Sequence, residues 1–110
     1  MARRLRIPFR FIPIPTVIFE EWINKISYSE LKCYAFISRQ TYGLSKPRHL
    51  IYISQFVQFT GLSRATVKRA LAGLLNKHLI RVTGSPRKPR QYEILMPHDI
   101  QIERLSIVSH

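Results

Sequence analysis

Arg64, Lys68 and Arg69 follow Ser63 in the stretch TGLSRATVKRAL, at a spacing that gathers cations on the outer side of an α-helix. Groups held this way can donate to phosphate oxygens or to the major-groove acceptors of guanine. Ala65 or Thr66 can meet a thymine methyl, and Ser63 can contact phosphate near the helix start. The sequence leaves open which contact each residue makes. A second basic group, Arg87, Lys88 and Arg90, lies beside two prolines in GSPRKPR, a stiff turn able to place cations against a nucleic-acid backbone or in a minor groove. A third, Arg3, Arg4 and Arg6 with Arg10, opens the chain in MARRLRIPFR and suits either an arm that enters a minor groove or a flexible basic leader.

The whole chain supports this chemistry. Its 110 residues carry 18 Lys and Arg against 6 Asp and Glu, a formal charge of +12. From Leu31 to Tyr92 there are twelve Lys or Arg and no acid. Helix surfaces normally interleave both signs, because opposite charges three or four residues apart support a helix and like charges weaken it. Giving up that support implies a polyanionic partner, with nucleic acid ahead of an anionic membrane.

Other classes find little. Cys33 is the single cysteine, so neither a disulfide framework nor a cysteine-rich zinc site is expected, and an intracellular setting fits. The apolar run RFIPIPTVIFEEWI is broken by prolines and by Glu20 and Glu21, and makes neither a signal-peptide core nor a membrane span. A cytoplasmic location and no membrane partner are expected. The acids are scattered, and His49, His78, His98 and His110 lack ligand spacing. No glycine loop is placed to cradle phosphate. The expectation is a protein that is not an enzyme and has no metal or cofactor.

The elements that must position these residues follow from pattern. Residues 1–10 form an arm, and Pro8, Pro13 and Pro15 hold the next segment extended. Thr16 can cap a short helix to about Lys25 that turns Val17, Phe19 or Ile18, Trp22, Ile23 and Ile26 inward. Ser27 and Glu30 form a capping box for a central helix from Tyr28 to Tyr42, stopped by Gly43. The triplet Ile51-Tyr52-Ile53 reads as a very short strand ending at Ser54, and Ser54 as the cap of a helix in QFVQFT with Phe56, Val57 and Thr60 inward. Gly61 ends that helix in the left-handed conformation, and Leu62 is the buried residue of the turn. Ser63 caps a second helix from about Arg64 to His78, with Val67, Ala70, Leu71, Leu74 and Leu75 as its apolar stripe. His78 there complements the helix dipole better than it binds a metal. LIRVT and QYEIL flank a Gly-Pro-Ser turn as a β-hairpin with a basic tip. Tyr42, Tyr52, Tyr92, Trp22 and the six phenylalanines fall mostly where these elements need core.

This order is mainly α with a small β-hairpin, a winged helix-turn-helix over residues 11–96, with residues 97–110 as a C-terminal tail.

Residues Phe11 to about Val82 resemble the N-terminal domain of the phage replication protein O family. The likeness rests on FIPIP, on SELKCYAFISRQTYG with its Arg39, Thr41, Tyr42 and Gly43 ending, and on ISQFVQFTGLSRATVKRALAGLLNKHLI. It implies a winged helix that binds repeated, inverted DNA sites at a replication origin, with Arg64, Ala65, Lys68 and Arg69 as recognition positions. Recruitment of the replicative helicase belongs, by the same resemblance, to a separate C-terminal region. The expected partners are double-stranded DNA, a replicative helicase or its loader, and a second copy on inverted half-sites, in a bacterial or phage-infected cell. A winged-helix transcriptional regulator is the alternative of the same class. A basic RNA-associated or protein-interaction factor is the alternative from another.

Overall fold

The structure is a computed structural model, and it describes residues 12–85 and 89–95. The arm at residues 1–10, the tail at 97–110, and Arg87 and Lys88 at the hairpin tip lie outside the described residues.

Among the described residues, three α-helices pack on a three-stranded antiparallel sheet. In chain order they are α1 (Tyr28–Gln40), β1 (Arg48–Ile51), α2 (Ile53–Thr60), α3 (Arg64–Asn76), β2 (Ile80–Thr83) and β3 (Arg90–Ile94). The spatial strand order is β1-β3-β2, with Ile51 opposite Arg90 and Val82 opposite Tyr92. This is the winged helix-turn-helix expected from the sequence, with β1 added as a third strand along the hairpin.

Helix α1 is the hub. Ser27 accepts from the Glu30 amide at 3.0 Å while the Glu30 carboxylate accepts from the Ser27 amide at 2.8 Å, the reciprocal cap read from the sequence. Cys33, Tyr34, Phe36 and Ile37 are buried between α2, α3 and the sheet. Phe36 meets Phe56 edge-on at 5.2 Å and Phe56 meets Tyr92 at 5.1 Å, pairs each worth about 0.5 to 1.5 kcal/mol beyond their buried area. α1 stops at Gln40. A 3-10 turn, Tyr42–Leu44, follows, and the left-handed residue is Ser45 rather than Gly43. Pro13 of the N-terminal segment lies near Gly43, and the Tyr42 hydroxyl donates to the Ile94 carbonyl at 3.4 Å. The Arg39, Thr41, Tyr42, Gly43 ending is therefore where the extended N-terminal segment and the last strand meet α1.

Four local expectations are corrected. The segment after Pro15 is a π turn, Ile18–Trp22, with Val17 at its start and no side-chain cap from Thr16. Its wider turn buries Ile18 and half-buries Trp22 and Ile26, and leaves Phe19 and Ile23 exposed. Strand β1 begins at Arg48, where it can pair with Glu93, and gives way at Tyr52 rather than at Ser54. Tyr52 takes the cap position of α2, its amide donating to the Gln55 side chain at 2.8 Å. α3 ends at Asn76, because His78 turns left-handed at φ 59°. The amides of His78 and Leu79 then return to the carbonyls of Leu75 and Leu74, which closes the helix without calling on the imidazole. Finally, Leu75, Tyr52, Phe19 and Phe59 are exposed, outside the core assigned to the apolar stripe and the aromatics.

Candidate nucleic-acid interface

The two helices of the motif meet through Phe56, Val67 and Ala70, all buried, with Leu62 half-buried in the turn between them. Gly61 has φ 75° and ends α2, its amide donating to the Val57 carbonyl. Thr60 secures the same end, donating to the Phe56 carbonyl at 2.6 Å and accepting from the Leu62 amide at 3.1 Å. The carbonyl of Thr60 accepts from the Lys32 ammonium at 2.9 Å. A cation on α1 thus satisfies the carbonyl end of α2, which suits the helix dipole.

At the start of α3 the Ser63 hydroxyl accepts from the Thr66 amide at 3.1 Å and lies 2.9 Å from the Thr66 hydroxyl. Arg69 donates to that same Thr66 oxygen at 3.3 Å. Ser63, Thr66 and Arg69 are therefore tied together on one flank of the helix. Arg64 and Lys68 lie on the other. They line a cleft of about 660 Å³ between α3 and the sheet, together with Tyr52, Leu75, Val82 and Arg90. No Asp or Glu lines it. Ala65 is exposed on the ridge between the two flanks.

Several of the other charges have partners in the fold. Glu30 and Glu93, the acids that bracket the acid-free span, pair with Lys77 at 2.9 Å and Arg81 at 3.5 Å. Lys25 lies over the Trp22 ring, Lys32 over Tyr28 and Arg39 over Phe59. Arg64 and Lys68, like the exposed Lys46 and Arg48, have no such partner among the described residues. Arg90 shares the cleft and bears on Tyr92, whose hydroxyl pKa burial pushes up and the Arg90 charge partly restrains.

The structure thus brings Ser63, Arg64, Ala65, Thr66, Lys68 and Arg69 to one helix end, and Arg90 to the far wall of the adjoining cleft. Arg87, Lys88, Arg3, Arg4 and Arg6 fall outside the described residues. Tyr52 was missed. Its alternation with the inward Ile51 and Ile53 was the signal that it points away from the core. Among the described residues no cluster of three metal-ligating side chains occurs, and no helix is long and apolar enough to cross a membrane.

A family model described as bacteriophage replication protein O matches residues 8–95. No curated protein matches the chain. Similar folds occur in the N-terminal domain of a DNA-binding protein (13% identity, 100% of this chain and 98% of that one, TM-score 0.57). They also occur in a Rep–DNA complex (15% identity, 92% and 89%, TM-score 0.59). A MarR-family transcriptional regulator from Silicibacter pomeroyi is similar at 20% identity, with 83% of this chain matched to 57% of that one and a TM-score of 0.50. At these identities the likeness is one of fold.

Proposed function

The chain belongs to the bacteriophage replication protein O family; from that premise we propose that it binds duplex DNA, and binds it sequence-specifically at repeated, inverted sites of a replication origin, as an initiator or its DNA-binding domain. The observation that supports this is the placement of charge. The exposed face of α3 and the cleft beside it carry Arg64, Lys68, Arg69 and Arg90 with no acid among the cleft's lining residues. The buried stripe of Val67, Ala70 and Leu74 holds that face outward. A helix so displayed lies in a major groove while the hairpin reaches the neighbouring backbone. The proposed activity is binding, without catalysis.

Selection of bound duplexes from a random pool tests the reading. The expected result is one motif in inverted half-sites, preferred over random duplex by ~10³ or more. A preference below about tenfold, or equal competition by structured RNA, would overturn it. Sedimentation with and without the selected duplex should show two copies on DNA. Capture of a replicative helicase or its loader, rather than occupancy of a promoter, separates an initiator from a transcriptional regulator.

A further inference from the structure

A helix in a major groove and a hairpin in the adjoining minor groove are separated by one sugar–phosphate strand. In this protein the space between α3 and the hairpin is the cleft of about 660 Å³. Arg64 and Lys68 stand on one wall and Arg90 on the other, Leu75 and Val82 supply apolar surface, and Tyr52, 55% exposed, closes a third side. That alternation of cation and apolar surface matches a strand, in which anionic phosphates alternate with apolar sugars. The cleft is too small for a duplex and suited to one ribbon of it. Arg64 and Arg69 are five residues apart on α3, which sets them about 140° apart around the helix. Only Arg64 faces the cleft, whereas Arg69 is tied to Thr66 on the opposite flank.

Building on the duplex-binding reading above, we infer that the cleft seats a single sugar–phosphate strand, with Arg64, Lys68 and Arg90 on its phosphates and Tyr52 as an uncharged contact. Arg64 is then an anchor that sets register, and Arg69 with Ala65 is left to meet base edges. This divides a set of residues that are alike in sequence into two jobs with different experimental signatures. Phosphate anchors set the salt dependence of binding to any duplex, and base contacts set the preferred motif.

The test uses the full chain and a random-sequence duplex across a salt series, with motif selection run on the same variants. Arg64→Gln and Lys68→Gln, both at exposed positions, should each flatten the log–log salt slope by about 0.9 and leave the selected motif unchanged. Arg90→Gln should do the same, with thermal unfolding to show that the half-buried position still folds. Tyr52→Ala should weaken every duplex about two- to tenfold at all salt concentrations with the slope intact. Arg69→Gln should alter the motif. A wild-type slope together with a changed base preference in Arg64→Gln would overturn the seat, as would wild-type affinity in Tyr52→Ala. If the wild-type chain selects no motif, the specificity reading falls by itself, because the slopes on random duplex still judge the cleft.

Discussion

Replacing Gly73 by alanine should destabilise this protein, although alanine is the better helix former. The position lies inside α3, where Gly→Ala ordinarily stabilises by about 1 kcal/mol. Here a Cβ would collide with the Glu30 carboxylate, which α1 presses against the glycine. That carboxylate is buried, 7% exposed as a residue, and holds the Ser27 amide at 2.8 Å and the Lys77 ammonium at 2.9 Å. Moving it aside costs the Glu30 half of the reciprocal cap, the bond it accepts from the Ser27 amide, about 0.5 to 1.5 kcal/mol, while the Ser27 hydroxyl still caps the Glu30 amide. It also costs most of a partly buried charge pair, which at full burial would be about 3 to 5 kcal/mol and is less here because Lys77 keeps 27% of its side chain in solvent. Against the gain of about 1 kcal/mol, the expected net loss is about 1 to 3 kcal/mol. Urea unfolding of a double-mutant cycle with Glu30→Ala isolates the cause. In that background the obstacle is gone, so Gly73→Ala should change sign and stabilise by about 0.5 to 1 kcal/mol. The same sign and size in both backgrounds would refute the reasoning.

Three further outcomes are expected. Gly61→Ala meets no neighbouring atom but must hold φ 75°, so thermal unfolding should show a loss of about 1 to 2 kcal/mol, and unchanged stability would deny the left-handed turn. Burial pushes the Cys33 thiol up to about 11, and the buried Tyr34 and Tyr92 hydroxyls are raised as well. All three favour the neutral form in the folded state. Their contribution is therefore intact below the unfolded values near 8.5 to 10 and is lost as pH rises toward and past 11. Stability should fall on the alkaline side, and Cys33 should alkylate at neutral pH only at the rate of unfolding; prompt labelling of native protein would count against its burial. Arg87→Ala and Lys88→Ala, at the hairpin tip, should weaken all duplexes alike and flatten the salt slope, and a change in the selected motif would contradict a backbone role.

Where structure depended on local chemistry, the sequence was sufficient. Ser27 with Glu30, Ser63 before α3, and Gly61 after α2 each fix a boundary through a few backbone groups, and each was legible as a pattern. What escaped were features decided by a distant partner. Tyr52 caps α2 because β1 pairs with β3 as far as Ile51, and no local signal announces that register. The split between Arg64 and Arg69 escaped for the same reason. Their angular separation follows from helix geometry, but which flank the sheet occupies is a tertiary fact.

The contact between Gly73, Glu30 and Lys77 links stability to recognition. Around α3, Val67, Ala70 and Leu74 face the core, Gly73 and Lys77 face α1, and Arg64, Lys68 and Leu75 face the cleft. An apolar stripe alone tolerates some rotation of a helix about its axis, because hydrophobic contact is non-directional. A glycine against which a carboxylate is packed, with an ammonium paired to it, is directional and narrows that freedom. Rotation by about 10° moves an atom ~6 Å from the axis by about 1 Å, which is large beside the tolerance of a hydrogen bond to phosphate or base. Gly73 lies on the opposite side of the helix from the cleft, yet it helps to decide where Arg64 and Arg69 point. In Gly73→Ala, the selected motif should therefore blur by more than the loss of stability accounts for, when binding is measured under conditions where the protein remains folded. A motif as sharp as that of the wild type would show that the core stripe alone sets the rotation of α3.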